Sequence, residues 1–596
     1  MLRRDFLKTM AAVVALQGLS LTGLRAFASG FRRVRPGDAA WPGAASWQKL
    51  SNAVGGNLIK VRSLFVTCQA DAKSAACIDV LKNVRNPFYL GDQPGGTQVS
   101  GWWNAWIPAP SAYAVRARNA KDVAAAVNFA RKNKLRLVVK GTGHSYQGTS
   151  DAPDALLIWT RGMNQVVLHD AFVPQACAGK VAPEPAVTAQ AGAVWIDLYT
   201  AVTTKAGRYV QGGGCTDVGV AGLIQSGGFG SFSKAFGTAA SGLLEAEIVT
   251  ADGQIRIANA CTNPDLFWAL KGGGGGSWGV VTKLTLRTHA LPAHFGSAWG
   301  TIKAKSDDSF RKLIARFVAF YADSLFNPHW GEQALIHPNN SLEISMVCQG
   351  LDTAQMQAVW RPFHDWVAAQ ADLVVTEELG ARAVPSAQHW WDVEGNPAMT
   401  PDTRPGAPKD HGWWKGDQGE VGIFLHGYES LWLPAALLQK GRQQQLTNAL
   451  FAASRYKIVR LHVNKGLAGA PDEALASAKD TATNPAVTEA FTLVIIADGE
   501  APAYPGMPGA KIDRAAAQKD ARLIDLAAAE FFRIAPDAGS YVSESNYFNP
   551  RWQDAYWGGN YARLQAVKAK YDPEGLFFVH HGVGSEGWSA DGFARF

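Results

Sequence analysis

Apolar and polar positions change period twice within the first thirty residues after Pro108. Residues 113–115 run apolar as a strand does. Val123, Val127 and Ala130 then recur at helical spacing behind Asn119, a helix-capping residue with Asp122 three positions on, and residues 135–139 are apolar again. This predicts a β-α-β start that ends in the turn Lys140-Gly141-Thr142-Gly143-His144-Ser145-Tyr146. Further along, residues 194–206 read as a helix, and 248–251 with 254–257 form a hairpin about Asp252-Gly253. Asn263-Pro264-Asp265 opens a helix carrying Leu266, Phe267 and Leu270, and 280–286 is a strand. Residues 109–290 are thus expected to form one α+β unit.

The pattern lengthens over residues 291–535, with helices expected at 309–325, 352–370 and 515–534, strands at 341–348, 421–425, 457–463 and 490–496, and a loop at 480–485. On 457–464 strand alternation places Val459, Leu461 and Val463 on one face and Arg460, His462 and Asn464 on the other. The polar face either lines a pocket or is a solvated sheet face. In residues 536–596, Tyr561, Leu564, Val567 and Tyr571 follow helical spacing up to the stop at Asp572-Pro573. His580-His581, read as a strand pair, would point to opposite faces and have no carboxylate-rich neighbour, so no metal site is expected there; one of them could meet a ligand. Residues 29–108 are a Gly/Pro/Trp-containing extension given no function of its own.

Composition narrows the class. A chain of 596 residues exceeds one core, so roughly two to four domains are expected. With 47% hydrophobic and 18% charged residues it packs rather than staying disordered. The net charge of +7 is spread without a long Lys/Arg run, which argues against nucleic acid. Arg3-Arg4-Asp5-Phe6-Leu7-Lys8, an apolar stretch over 10–24 and Ala26-Phe27-Ala28 read as a twin-arginine export signal over 1–28, so the expected location is periplasmic or secreted and the export machinery is an expected partner. Gln17, Gly18 and Ser20 interrupt that stretch, and no other reaches the roughly 18 uncharged apolar residues of a membrane span. Of six cysteines, Cys68 and Cys77 could close a small loop, while Cys177, Cys261 and Cys348 show no spacing logic. There is no C-x-x-C, hence no support for zinc ribbons or thioredoxin-like chemistry.

Two glycine-bordered turns carry the chemistry. His144 lies in the first; Cys215 lies in Gly212-Gly213-Gly214-Cys215-Thr216-Asp217-Val218-Gly219. Glycines let backbone approach a bulky ligand and aim N–H groups at phosphate oxygens, so a histidine and a cysteine held there suggest a covalently bound flavin. The competing reading of Cys215 is a small buried hydrophobe. A Rossmann fingerprint is excluded, because Tyr146 stands at the third glycine position and turn residues lead to Leu156-Leu157-Ile158-Trp159 rather than to a helix. The glycine run at 272–276, followed by Ser277-Trp278-Gly279, lacks the Lys-Ser/Thr pair of an NTP-binding loop.

Further blocks follow in order. They are Gly214 to Gly222, Gly227-Gly228-Phe229-Gly230, Leu244-Glu245-Ala246-Glu247-Ile248-Val249, Asp265-Leu266-Phe267-Trp268-Ala269-Leu270-Lys271, Gly279-Val280-Val281-Thr282, and Trp557-Gly558-Gly559-Asn560-Tyr561 through Asp572-Pro573. Together with the histidine turn they resemble the berberine bridge enzyme family within the vanillyl-alcohol oxidase superfamily. The resemblance implies an α+β fold: a two-part PCMH-type FAD-binding domain over 109–290, an α+β substrate domain with an antiparallel sheet over 291–535, and a segment over 536–596 returning to the FAD domain. It implies FAD linked covalently through His144, with Cys215 as a candidate second link. The implied cofactor-binding residues are Gly141, Thr142, Gly143, His144, Ser145, Gly214, Cys215, Val218, Gly219, Gly222, Gly227, Gly228, Ile248 and Val280. Val218 stands at the family's oxygen-gating position, where a small side chain favours an oxidase making hydrogen peroxide. The candidates for the base are Tyr547, in Ser545-Asn546-Tyr547 with Glu544 nearby, and His462; the competing reading of Tyr547 is a buried aromatic. The ending Phe577-Phe578-Val579-His580-His581-Gly582 departs from the plant-type Gln-Ser-Ile-Pro-like tail.

The expected reaction is oxidation of alcohol groups on sugars or other small hydroxylated or aromatic compounds, with molecular oxygen as acceptor. The alternatives are an FAD dehydrogenase with another acceptor and a non-catalytic flavin-bearing redox carrier. Twenty-one tryptophans, among them Trp390-Trp391 and Trp413-Trp414, serve either as stacking surface or as core.

Overall fold

The structure is a computed structural model that describes residues 30–596. The twin-arginine segment lies outside the described residues.

The first half is built on two sheets. One has the order Leu58–Lys60, Tyr113–Arg116, Ala155–Trp159, Arg136–Lys140, with the last three strands parallel and Leu58–Lys60 antiparallel at the edge. Parallel neighbours need a crossover, and the helix Ala120–Lys132 supplies it. Asn119 caps it as expected, its side chain accepting from the N–H of Lys121 at 2.9 Å and of Asp122 at 3.0 Å. Val123, Ala126, Val127 and Ala130 are buried with Leu135, Leu137, Leu156 and Ile158. The second sheet is antiparallel, ordered Ile255–Asn259, Leu243–Val249, Val280–Arg287, Glu184–Gln190, Val166–Phe172.

The second half is an eight-stranded sheet, antiparallel except at one edge, in the order Leu373–Ala383, Phe295–Ala304, Ser341–Gln349, Trp330–Ile336, Val459–His462, Ala490–Glu500, Phe424–Pro434, Gly101–Trp102. Helices Asp307–Phe320, Thr353–Ala368, Gln443–Ser454 and Arg514–Phe532 share a core with one face of the sheet, burying Phe317, Trp360, Leu431, Leu450, Ile524 and Phe531. Val459, Leu461 and Val463 join that core, as their alternation predicted. Along Phe424–Pro434, Leu431 and Leu433 face the helices while Tyr428 and Trp432 pack with Trp102, Phe229 and Tyr541 on the opposite face. A register shift between Leu425 and Gly427 lets Leu425 join that second set despite its odd position.

Residues 30–108 touch both halves. Gly101–Trp102 pairs parallel with Phe424–Pro434, and Leu58–Lys60 antiparallel with Tyr113–Arg116, so the extension covers one edge of the eight-stranded sheet and one edge of the four-stranded sheet. At the other end, Trp557, Leu564, Val567 and Tyr571 share a core with Leu266 and Leu270 of the first half.

Several elements depart from the pattern-based reading for identifiable reasons. The helix expected at 194–206 is α only over Trp195–Tyr199 and widens to a π-turn over Thr200–Lys205; the one at 309–325 does the same at Tyr321–Leu325. The strand expected at 421–425 is instead Phe424–Pro434. Its polar residues hide it, yet each has a partner in the fold: His426 Nδ1 with Asp520, Glu429 with Asn546, and Ser430 with Ser540. Residues 578–582 are not strand, and the two histidine rings stack with centroids 3.8 Å apart instead of facing opposite ways. Disulfides join Cys68 to Cys77, as the spacing suggested, and Cys177 to Cys261, which no spacing revealed. Cys348 is free and buried in the helical core. No described helix is long and apolar enough to cross a membrane.

Candidate active site

A cleft runs between the halves, lined by the two glycine turns, Gly274 to Gly276, a loop carrying Asp417 and Glu420, the turn Tyr541 to Glu544, and Val579 to Gly582. The strand Arg136–Lys140 delivers the first turn. Lys140 is buried and donates to the carbonyls of Gln93 at 2.6 Å, Pro94 at 2.7 Å and Gly96 at 2.9 Å, which nails the turn to the extension; burial pulls its pKa down to about 7. Gly143 sits at φ 84°, with the Gly96 carbonyl 3.1 Å from where a Cβ would stand. Beyond the strand, the N–H groups of Thr142, Gly143 and His144 donate to no protein acceptor among the described residues.

The two turns are one structure. The Gly219 N–H donates to Thr142 Oγ1 at 3.1 Å, and His144 Nε2 contacts Asp217 Oδ2. That pairing orients the imidazole with Nδ1 as its remaining nitrogen. Cys215 is a half-buried free thiol on the same wall, two residues from Asp217. Val218, Gly219 and Gly222 line the cleft, as do Gly141 to Ser145.

Other sequence-selected residues fall outside the lining. Gly214 lies just behind it, its carbonyl accepting from Trp414 Nε1. Gly227 and Gly228 make a positive-φ turn whose carbonyls accept from Ala240 and Ala239. Ile248 and Val280 are core residues, whereas Gly279 and Val281 do reach the cleft. Neither proposed base lines it. His462 Nδ1 is buried without a partner in the substrate sheet, and burial, then Lys465 and Arg460, hold the imidazole neutral. Tyr547 stacks on His580 at 3.8 Å, so it supports the histidine that does line the cleft.

Sequence reasoning missed Asp417, Glu420 and Tyr541. Tyr541 is buried and meets Phe229 edge-on at 5.0 Å; burial first, then Glu544, pushes its phenol well up. Glu544 is paired with Lys465. Tyr146 OH donates to Glu420 at 3.4 Å. Asp417 is raised to about 8 by burial, then by Glu420 and Asp217. These residues come from turns, which leave no periodic trace; the signal available was that Tyr541 and Glu544 precede the noticed Asn546-Tyr547.

The walls fit a large polar cofactor. Gln98 Oε1, Gln147 Oε1, Ser150 Oγ, Gln225 Oε1, Asp417 Oδ2 and His581 Nδ1 are buried lining atoms with no protein partner. A Cβ on Gly222 would meet nothing within 4 Å, and one on Gly275 only Gln225 at 3.9 Å, so both leave a flat surface for a ligand.

Known proteins with the same features define the class. The FAD binding domain family matches residues 110–259, and the berberine and berberine-like family matches residues 537–584. The FAD-linked oxidoreductase malF of Malbranchea aurantiaca is 30% identical over 602 residues, covering 94% of this chain and 93% of its own. Among solved structures, the VAO-type flavoprotein MtVAO615 from Myceliophthora thermophila C1 superposes with a TM-score of 0.76 at 27% identity, over 95% of this chain and 100% of that one. Glucooligosaccharide oxidase from Acremonium strictum, described with a 6-S-cysteinyl, 8α-N1-histidyl FAD, shares the fold with a TM-score of 0.60 at 20% identity, over 87% of this chain and 99% of that one. The chain belongs to the berberine bridge enzyme-like FAD-linked oxidoreductases of the vanillyl-alcohol oxidase superfamily. It is an FAD-linked oxidoreductase.

Proposed function

We propose that this protein is an exported oxidase that takes a hydride from a carbon bearing a hydroxyl group, on a sugar or a small hydroxylated or aromatic compound, and passes the electrons to molecular oxygen to give hydrogen peroxide. The observation that carries the reading is the shared wall on which His144, Cys215 and Val218 face one cleft. FAD supplies the hydride acceptor when bound. The chain supplies the grip: the N–H groups of Thr142, Gly143 and His144 for the diphosphate, His144 Nδ1 for one covalent link and Cys215 Sγ for a second. The doubly linked flavin of glucooligosaccharide oxidase supports that pair of roles.

The departing hydroxyl proton needs an acceptor within reach. Tyr541 and Glu544 line the cleft, on a turn fixed to the substrate sheet by the Trp432 N–H donating to the Gly539 carbonyl, and by Ser430 Oγ contacting the Glu544 carbonyl. They take the place of Tyr547 and His462 as the proton-handling pair. A half-buried valine at 218 leaves oxygen room to approach. Export is supported by Arg3-Arg4 with its apolar segment and by two disulfides, which persist in oxidising compartments.

The test is peroxide release with a panel of mono- and oligosaccharides and aromatic alcohols. Release with at least one substrate is expected. Rapid anaerobic bleaching of the flavin without peroxide once air is admitted would show a dehydrogenase; no bleaching by any of them would leave the carrier reading standing.

A further inference from the structure

The loop carrying Asp417 is clamped onto the Cys215 turn from both sides. Thr216 Oγ1 donates to the Gly412 carbonyl at 2.6 Å, and Trp414 Nε1 donates to the Gly214 carbonyl at 3.1 Å, so the residues immediately before and after Cys215 are each tied to the same strap. The strap is in turn fixed from behind, with Trp413 Nε1 donating to Gln418 Oε1 at 2.9 Å and Gln418 Nε2 to the Arg85 carbonyl at 2.7 Å. The short turn Lys415–Gly419 then places Asp417 in the cleft wall, where Oδ2 is buried without a partner. A carboxylate on a strap tied to both neighbours of a free thiol, with both side chains lining a cleft that fits a flavin, has a definite chemical use.

We propose that Asp417 positions Cys215 and takes its proton as the second covalent bond to the cofactor forms. In this step the Sγ–H bond breaks and the proton passes to the Asp417 carboxylate, while sulfur bonds to flavin C6. The hydrogen displaced from C6 leaves as a proton, and the two electrons released by joining sulfur to carbon reduce the flavin. Molecular oxygen then removes those electrons and becomes hydrogen peroxide. The inference rests on the proposed double linkage.

The surroundings make such an acceptor necessary. Burial, followed by the charges of Asp417, Glu420 and Asp217, raises the Cys215 thiol well above its ordinary range, so at neutral pH it does not ionise unaided. Asp417 itself rises to about 8 through burial and the facing carboxylates Glu420, Asp217 and Glu332, while its hydrogen bond with Cys215 works in the opposite direction. A group with that pKa is a proton acceptor matched to mildly basic solution. His144, which also opens onto this wall, is occupied by Asp217.

The experiment follows linkage itself, independently of turnover. Full-length wild type, Asp417→Asn, Asp417→Glu and Cys215→Ala are produced as holoproteins and digested, and the masses of the His144 and Cys215 peptides are measured over time at several pH values. Wild type should carry one FAD bridging both peptides, with the cysteinyl bond forming faster as pH rises through about 8. Asp417→Asn should keep the histidyl link, which also shows that it has folded, and form the cysteinyl bond at least about 100-fold more slowly; Asp417→Glu should recover much of the rate. An unlinked Cys215 in wild type would overturn the double-linkage reading, and the proposal with it. A fully linked Asp417→Asn at the wild-type rate would overturn the proposal alone. If Asp417→Asn takes up no flavin, the glutamate variant decides: linkage at the wild-type rate and pH profile supports the proton-accepting role, and histidyl linkage without the cysteinyl bond overturns it.

Discussion

The two walls of the cleft are made of different material. The wall from the first half is rich in backbone: glycines at 141, 143, 219, 222, 274, 275 and 276, with the N–H groups of Thr142, Gly143 and His144 free of any protein acceptor among the described residues, and with His144 and Cys215 set into its turns beside Asp217. The wall from the second half and the C-terminal segment is side chain: Asp417, Glu420, Tyr541, Glu544 and the stacked His580 and His581. A backbone wall recognises a constant partner such as a dinucleotide, because close approach and N–H direction are all it needs. A titratable wall is where protons move and where substrates can differ. On the proposed function, binding of the cofactor and choice of substrate are separable in this molecule.

The sharpest way to break that division is at Tyr541. Tyr541→Phe removes the buried hydroxyl and leaves the glycine turns around His144 and Cys215 intact, so it should lower kcat by about 100- to 10,000-fold while the protein remains fully loaded with flavin. Anaerobic flavin reduction measured beside flavin content checks both halves. Loss of flavin in parallel with activity would merge the two walls.

A second test uses the floor of the substrate wall. Glu429 is buried in the strand Phe424–Pro434 and raised to about 7, by burial first, against the hydrogen bonds from Asn546 and the Ser430 N–H. A carboxyl whose folded pKa lies above its unfolded value binds more protons when folded, so its contribution is fully present below about pH 4.5 and is lost as pH rises to about 7. Glu429→Gln, neutral in both states, should lack this component, which is worth on the order of 3 kcal/mol. Thermal midpoints between pH 4 and 8 should show wild type losing stability relative to the variant; parallel curves would refute the buried charge.

The smallest expected effect is at Val218. Val218→Ile adds one methylene on the cofactor wall, and packed interiors register that volume. Reoxidation by oxygen should slow in stopped flow while reduction by substrate stays nearly unchanged. Equal slowing of both half-reactions would show that the side chain touches substrate instead.

The contrast between the walls also explains what could be read from the chain. Glycine turns are contiguous, so His144, Cys215, Val218, Gly219 and Gly222 were legible as residues and all line the cleft. The β-α-β start was legible for the same reason, since Asn119, the apolar spacing and the following strand act locally. The second wall gathers single residues from distant turns, and no periodicity marks Asp417 or Tyr541. His462 satisfied strand alternation, but that shows which face a residue shares and not what the face meets; here it meets Gln333 and Leu493 along the ladder. Tyr547 was one short turn away from the residue that reaches the cleft. The strand Phe424–Pro434 stayed hidden because His426, Glu429 and Ser430 look exposed until their partners, 94 to 117 positions away in the chain, are known.

The central claim is that the backbone wall holds FAD through His144. Acid precipitation of the purified protein followed by digestion tests it most directly. The account predicts a yellow precipitate and flavin on the peptide containing His144, with His144→Ala and Cys215→Ala together releasing all of it. A colourless precipitate from wild type, with free FAD in the supernatant, would contradict it.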